Sequence, residues 1–232
     1  MTMWRLSAFI SAFCGLMAGL QAAEVPLVLP KAAQTYLPAG WKVLKMAQGD
    51  LNADGMADLV FVREETDPKK ITKRDDGYEL NGNPRVVVTL LAEKVGYRKV
   101  GEYPKFIPPA YTLEFDNYLD RFKELKVVKG VITIEFDWFA SAGTWWTSQE
   151  AFKFRLEAGS KLRLIGLEES SFARNQGDMT LTSTNHLTGK RKITTGMSAF
   201  DDQPSRPKTT WENLESRKPI YLEDLPPCGR KE

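Results

Sequence analysis

Apolar and polar residues alternate along several segments of this chain, and this is the two-residue period of a β-strand with one buried face. The clearest example is the segment 131–138, where the polar positions are Thr133, Glu135 and Asp137. The apolar positions between them are Ile132, Ile134, Phe136 and Trp138. The pattern predicts a strand that packs this apolar face against a core.

A second alternating segment, residues 152–156, carries Lys153 and Arg155 on its polar face. If the two segments pair as a hairpin, these cations face Glu135 and Asp137 across the ladder. Such cross-strand ion pairs contribute only about 0.2–1 kcal/mol each. They nevertheless favour one register, because a shift of one residue would turn every side chain to the opposite face.

Further strands are predicted at intervals of about ten residues, which is typical of an antiparallel all-β domain. They cover residues 85–91 and 97–103, which would form a second hairpin, and residues 161–167 and 180–188. Helical periodicity is confined to two short segments, residues 31–36 and 211–217. The predicted fold class is therefore all-β, either an antiparallel β-sandwich or another sheet-rich domain.

The N-terminus has the order of a secretory signal peptide. Residues 1–5 form a short positively charged lead, residues 6–20 are almost wholly apolar, and residues 21–23 offer small side chains for cleavage. The apolar run is shorter than the roughly 20 residues that span a bilayer. Cys14 lies inside this run rather than at the cleavage point, which argues against lipidation. The sequence therefore predicts a bacterial periplasmic or secreted protein with a removable leader at residues 1–23.

The mature chain is interpreted as one β-rich domain, residues 24–200, followed by an extended Pro- and Lys-rich tail, residues 201–232. We expect Trp211, Ile220 and Leu222 to attach this tail to the domain. With 42% hydrophobic residues, the chain can bury one substantial core.

The charges of the chain nearly balance, with 32 Lys and Arg against 30 Asp and Glu. This composition provides neither the basic surface that nucleic acid requires nor a polybasic membrane-binding patch. We therefore expect no nucleic-acid partner and no stable membrane insertion after cleavage of the leader. The oligomeric state is left open.

Residues 50–58 have the spacing of oxygen donors that a calcium ion requires. The side chains come from Asp50, Asn52, Asp54 and Asp58, and the backbone carbonyl of Met56 would add a further oxygen. Calcium takes six to eight oxygen ligands at about 2.3–2.6 Å, and Gly55 permits the tight turn that aims alternate side chains at one point. The alternative is a solvated turn without metal, because Asp, Asn and Gly dominate turns in general.

The segment 49–60 resembles the calcium loop of FG-GAP (VCBS-type) repeats, which occur in integrin α-subunit propellers and in many secreted bacterial proteins. An EF-hand is not indicated, because Phe61 occupies the position of its bidentate glutamate and an apolar strand follows the loop. The resemblance implies calcium bound by Asp50, Asn52, Asp54 and Asp58. It occurs once, without repeated blades, so a sandwich is favoured over a barrel or a partial propeller.

Trp145 and Trp146 are the strongest candidates for recognition of a partner, because they lie in a loop between the two best strands. Exposed aromatic rings can stack on sugars or fill a pocket of another protein. The alternative is that one of the pair packs over the sheet. Adjacent residues of a strand point to opposite faces, so one ring is expected to be exposed.

No catalytic constellation is recognisable. His186 is the single histidine, no nucleophile elbow or P-loop occurs, and Cys228 lies near the C-terminus without a neighbouring base. We therefore expect a non-enzymatic, calcium-stabilised module that binds an envelope protein or glycan. Two alternatives remain, a periplasmic inhibitor or immunity-type protein and a calcium-dependent hydrolase.

Overall fold

The computed structural model describes residues 27–111, 120–139, 144–157, 161–200 and 206–228. Antiparallel β-strands dominate these residues, and the predicted all-β class is confirmed. Two large sheets pack face to face and do not close into a barrel. The proposed leader, residues 1–23, lies outside the described residues.

The first sheet has four strands in the order β1-β2-β5-β6. Their bounds are β1 (Trp41–Gly49), β2 (Asp58–Glu65), β5 (Arg85–Ala92) and β6 (Tyr97–Tyr103). A small hairpin, β3 (Ile71–Lys73) and β4 (Glu79–Asn81), is inserted between β2 and β5. Strands β2 and β5 are almost entirely buried because both of their faces are covered.

The second sheet has seven strands, and each strand pairs with its neighbour in the sequence. Their bounds are β7 (Phe122–Val128), β8 (Val131–Phe139), β9 (Trp146–Glu157), β10 (Lys161–Ala173), β11 (Asp178–Asn185), β12 (Lys190–Ser198) and β13 (Lys208–Asn213). Three short 3₁₀ helices, Lys31–Tyr36, Pro68–Lys70 and Leu222–Asp224, complete the described elements.

The hairpin predicted from residues 85–91 and 97–103 is confirmed as β5 and β6. Its turn is closed by the amide of Glu93, which donates to the carbonyl of Gly96 at 3.0 Å. The short helical segment at residues 31–36 is present as a 3₁₀ helix. The helical prediction for residues 211–217 is wrong, because Trp211 belongs to the edge strand β13.

Strands β8 and β9 pair antiparallel as predicted, but the predicted ion pairs between them are wrong. Lys153 lies opposite Thr133, and Glu135 lies opposite Ala151. The two acidic side chains instead bind lysines of β7. Lys126 contacts Glu135 at 2.8 Å, and Lys123 contacts Asp137 at 2.9 Å. The charge pattern of β8 is thus satisfied by the strand on its other side.

The main core lies between the two sheets, and a smaller core lies on the opposite face of the first sheet. The main core combines Val60, Val62 and Val87 of the first sheet with aromatic and aliphatic residues of the second. The latter include Ile132, Ile134, Phe136, Phe154, Leu162 and Leu164. The smaller core is covered by the segment that contains Ala33 and Tyr36.

The region predicted as a tail contributes to both the sheet and the core. Residues 208–213 form β13, whereas Leu222 and Cys228 are buried against the main core. Trp211 is 65% exposed, so Leu222 rather than Trp211 attaches this region to the domain.

A buried ion network also connects the first sheet to the start of β7. Arg85 donates to Glu64 at 2.7 Å and to Asp120 at 2.7 and 2.5 Å. Arg85 and Glu64 are both almost completely buried, and Asn81 donates a further hydrogen bond to Glu64 at 3.0 Å. This pairing satisfies charges that burial would otherwise penalise.

The two sheets approach most closely where β1 meets β7, and Gly49 makes this approach sterically feasible. A Cβ atom on Gly49 would lie 2.5 Å from Cγ1 of Val127. We expect Gly49→Ala to reduce the free energy of unfolding by about 1–3 kcal/mol, as overpacking of a core does.

A double-mutant cycle measured by chemical denaturation tests this contact. The Val127→Ala substitution removes the colliding methyl groups, so the double variant should lose less stability than the sum of the two single variants. Strict additivity would contradict the proposed clash.

Candidate metal centre

The predicted calcium loop connects β1 to β2 at the edge where the two sheets meet. On its N-terminal side it begins directly after Gly49, which packs against Val127 of β7. A Cβ atom on Gly130, in the β7–β8 turn, would lie only 3.2 Å from the carbonyl oxygen of Asp50. The loop therefore contacts elements of both sheets.

The polar side chains of the loop turn towards its own backbone. The carboxylate of Asp50 accepts hydrogen bonds from the amides of Asp54 (3.2 Å) and Gly55 (2.9 Å). The side-chain oxygen of Asn52 also accepts from the Asp54 amide at 3.2 Å, and the Asp54 carboxylate accepts from the Met56 amide at 2.8 Å. These bonds arrange Asp50, Asn52 and Asp54 around one tight turn, as the sequence spacing predicts.

Two residues of this turn have left-handed backbone conformations. Gly55 has a φ of 84°, which is the role that the sequence suggested for it. Ala53 has a φ of 62°, which is unfavourable for a residue with a Cβ atom and was not predicted. The hydrogen bonds of the surrounding carboxylates hold the chain in this strained form.

Asp58 is the buried member of the set. Its side chain is completely inaccessible to solvent, and its two oxygens accept from the amides of Leu51 (2.7 Å) and Ala92 (2.8 Å). Burial raises the pKa of Asp58, and the negative charges of Asp54 and Asp50 raise it further, against the two amide bonds that lower it. Asp58 therefore joins the start of the loop to the end of β5.

Sequence reasoning predicted Asp58 as a metal ligand but missed the two amides that hold it. Leu51 and Ala92 contribute backbone N–H groups, and Ala92 is remote from the loop in sequence. Nearly every residue type carries a backbone N–H group, so the sequence pattern could not have indicated that Leu51 and Ala92 donate to Asp58.

The carboxylates of the loop have no salt-bridge partner among the residues that the structure describes. Neither Asp50, Asp54 nor Asp58 forms a salt bridge there. The cations Lys129 and Arg155 line a cleft of about 490 Å³ beside the loop without pairing with it. The loop is thus a compact anionic site at the junction of the sheets.

The donor types suit calcium, although the side chains do not converge as a ready-made site. Within the described ranges, no group of three or more acidic, histidine or cysteine side chains is placed to hold a metal. Each carboxylate oxygen that accepts one amide still has a second lone pair. An ion could therefore bind to Asp50, Asn52 and Asp54 while the hydrogen bonds within the loop are kept.

Trp145 and Trp146 lie far from this loop. They are 61% and 51% exposed, and Trp146 is the first residue of β9, whereas the loop lies near Arg155 at the other end of that strand. Trp146 and Arg155 are nine residues apart along the extended strand β9, which corresponds to about 30 Å. The structure therefore does not bring the two predicted sites together.

The tryptophan loop is anchored by Arg174 in the β10–β11 turn. The guanidinium carbon of Arg174 lies 4.4 Å from the ring centre of Phe139 and 5.8 Å from that of Trp145. Arg174 also donates to the carbonyl of Thr144 at 2.9 Å. These contacts hold Trp145 at the end of the second sheet. Residues 140–143 of the same loop lie outside the described residues.

Burial shifts the pKa values of both Cys228 and His186. Burial raises the pKa of the Cys228 thiol, which lies 3.3 Å from the carboxylate of Glu150. A thiol in this state is a poor nucleophile. Burial and the nearby Arg191 lower the pKa of His186.

Comparisons with models of protein families, with curated proteins and with solved structures find no match for this chain. Among the described residues, no helix is both long and apolar enough to cross a membrane.

The role of Asp58 can be tested without calcium. In Asp58→Asn, one of the two acceptor oxygens becomes an amide nitrogen that faces the N–H of Leu51 or Ala92. Leaving a buried donor unsatisfied costs about 1–3 kcal/mol, so we expect a loss of this size in urea denaturation with a chelator present.

Asp75→Asn is the matched control, because Asp75 is exposed in the β3–β4 turn. Its effect should stay within about 0.5 kcal/mol. Equal stability of the Asp58 and Asp75 variants would contradict the structural role of Asp58.

Proposed function

We propose that this chain is an exported, calcium-stabilised β-domain that acts as a non-catalytic binding module for a protein or glycan of the bacterial envelope. The observation that carries the proposal is the anionic loop at residues 50–58, which has oxygen donors at alternate positions and no salt bridge to a described cation. A bound cation would relieve the mutual repulsion of its three carboxylates.

The residues that would hold calcium are the side chains of Asp50, Asn52, Asp54 and Asp58 and the backbone carbonyl of Met56. Calcium would supply positive charge and oxygen coordination to the loop, and its role there is structural. The loop contacts β7 through Gly49 and is joined to β5 through Asp58. Binding would therefore stabilise the junction of the two sheets as well as the loop itself.

The predicted export of the protein and the predicted calcium site are consistent with each other. The leader-like residues 1–23 direct the protein to compartments where calcium is abundant, and extracellular modules typically bind calcium at about 10⁻⁴–10⁻³ M. The resemblance of residues 49–60 to FG-GAP calcium loops points in the same direction.

The binding role is supported by exposed aromatic side chains on a well-anchored scaffold. Trp145 is fixed at the end of the second sheet by Arg174, so its exposure does not come from a loose chain end. Rigid exposed tryptophans contribute contact area at little entropic cost, and they dominate many interfaces. The same feature favours the second candidate, an inhibitor that inserts an aromatic residue into another protein.

Calcium dependence can be measured by thermal unfolding. At about ten times the dissociation constant, calcium should stabilise the protein by about 1.4 kcal/mol. For a domain of this size, this gain raises the melting temperature by about 3–6 °C. We expect this shift with about 10 mM calcium relative to a chelator.

Asp54→Ala should abolish the shift, whereas Asp75→Ala, which changes an exposed aspartate outside the loop, should retain it. A wild-type protein that melts at the same temperature in calcium and in chelator would refute the calcium site. A shift that survives Asp54→Ala would place the ion elsewhere.

The binding role can be tested by capture from envelope extract in calcium. A retained glycan or structural envelope protein supports the module, whereas one dominant enzyme or toxin that loses activity on binding supports the inhibitor. We expect Trp145→Ala to weaken capture and Val95→Ala, an exposed apolar residue in the β5–β6 turn, to leave it unchanged. Capture that is insensitive to Trp145 would remove this residue from the contact surface.

A further inference from the structure

The outward face of the seven-stranded sheet carries an open trough of about 430 Å³, separate from both predicted sites. Its lining comes from six neighbouring strands, β7 to β12. Five strand spacings of about 4.8 Å make it about 24 Å across.

Three strands that line the trough are irregularly paired. The register shifts between Phe122 and Glu124 in β7, between Leu164 and Gly166 in β10, and between Met179 and Leu181 in β11. Irregularities of this kind bend the strand that carries them and increase its twist.

Polar side chains predominate in the trough, with smaller apolar surfaces between them. Ala151 and Leu181 contribute apolar surface, while Gln149, Ser170 and Ser183 contribute groups that both donate and accept hydrogen bonds. Gln149 lies directly opposite Ser170, and Ser170 lies opposite Leu181. The polar groups are therefore placed side by side across three neighbouring strands.

Glu168 and Asp137, two of the five acidic residues that line the trough, are each paired with a lysine. Glu168 accepts from Lys153 at 3.0 Å and from Ser183 at 3.1 Å. Asp137 is held by Lys123 at 2.9 Å. These carboxylates are neutralised acceptors with spare lone pairs, so they can accept hydroxyl groups without repelling a neutral ligand.

An exposed aromatic ring stands next to one end of the trough. Trp211 of β13 is 65% exposed and lies opposite Lys192, which lines the trough. Cross-strand neighbours of this kind have Cβ atoms about 4.5–5.5 Å apart. Lys192 forms no salt bridge within the described residues, so it is available to a ligand oxygen.

We propose that this trough binds an extended oligosaccharide, with one sugar stacked on Trp211 and others lying across Ala151 and Leu181. The proposal deepens the binding-module function and rests on it. Sugars present hydroxyls along their edges, which match the side-by-side polar groups of the trough, and apolar C–H faces, which match Trp211 and the smaller surfaces of Ala151 and Leu181. A peptide would add a strand at a sheet edge, whereas the trough lies across the outward face of strands that are paired with one another.

Titration with oligosaccharides of about four to six sugars, neutral and uronate-containing, tests the proposal through tryptophan fluorescence and calorimetry. We expect saturable binding to at least one oligosaccharide. Trp211→Ala should raise its dissociation constant about three- to tenfold, as expected for loss of one stacking contact. In Ala151→Tyr the larger side chain occupies part of the trough. This variant should abolish oligosaccharide binding without changing the melting temperature of the protein in calcium.

Tyr78→Ala is the matched control and should leave the dissociation constant unchanged. Tyr78 is also an exposed aromatic residue, but it lies in the β3–β4 hairpin, outside the second sheet. Binding that is unaffected by both Trp211→Ala and Ala151→Tyr would overturn the proposal. So would competition by peptides together with failure of every oligosaccharide.

The failure of this proposal can be distinguished from failure of the binding-module function. If no oligosaccharide binds but envelope extract still yields a captured partner, the trough is not the binding site and the module function stands. If neither experiment detects binding, both proposals fail.

Discussion

A single buried carboxylate determines how the loop, the first sheet and the sheet junction fit together. Asp58 has no solvent contact, so each of its oxygens must be satisfied inside the protein. Leu51 supplies an amide from the start of the loop, and Ala92 supplies one from the end of β5. The loop cannot move away from β5 without breaking these bonds. The positions of Asp50 and Asp54 relative to both sheets depend on this constraint.

Strands and turns could be predicted from the sequence where their conformation is determined by residues close together in the chain. The alternation in residues 131–138 gives β8 because burial of one face is an intrinsic property of that segment. The turn at residues 50–58 was recognisable because its hydrogen bonds join residues at most a few positions apart. The partners of Glu135 could not be predicted in the same way, because they depend on β7, whose weaker alternation did not mark it as a strand.

The proposed sites show the same division between local and long-range causes. The oxygen donors of the predicted calcium loop all lie in one short segment of the sequence. The trough, in contrast, is formed by six strands, so its lining depends on how these strands pair. Gln149, Ser170 and Leu181 are separated in sequence, and nothing in their types indicates that they lie side by side. The sequence predicts a helix around Trp211, and this prediction fails for a related reason. Its segment is short, and its neighbour β12 decides its conformation.

The C-terminal segment 220–228 has a consequence for the order of folding. The strands of the second sheet pair with their immediate neighbours, so they can assemble progressively from short loops. The segment instead returns across the molecule. Leu164 donates to the carbonyl of Ile220, and Cys228 donates to that of Phe106. It is synthesised after both sheets, so the core around Leu222 is completed last. Until then the apolar face stays accessible, and this interval is when the chain is most vulnerable to aggregation.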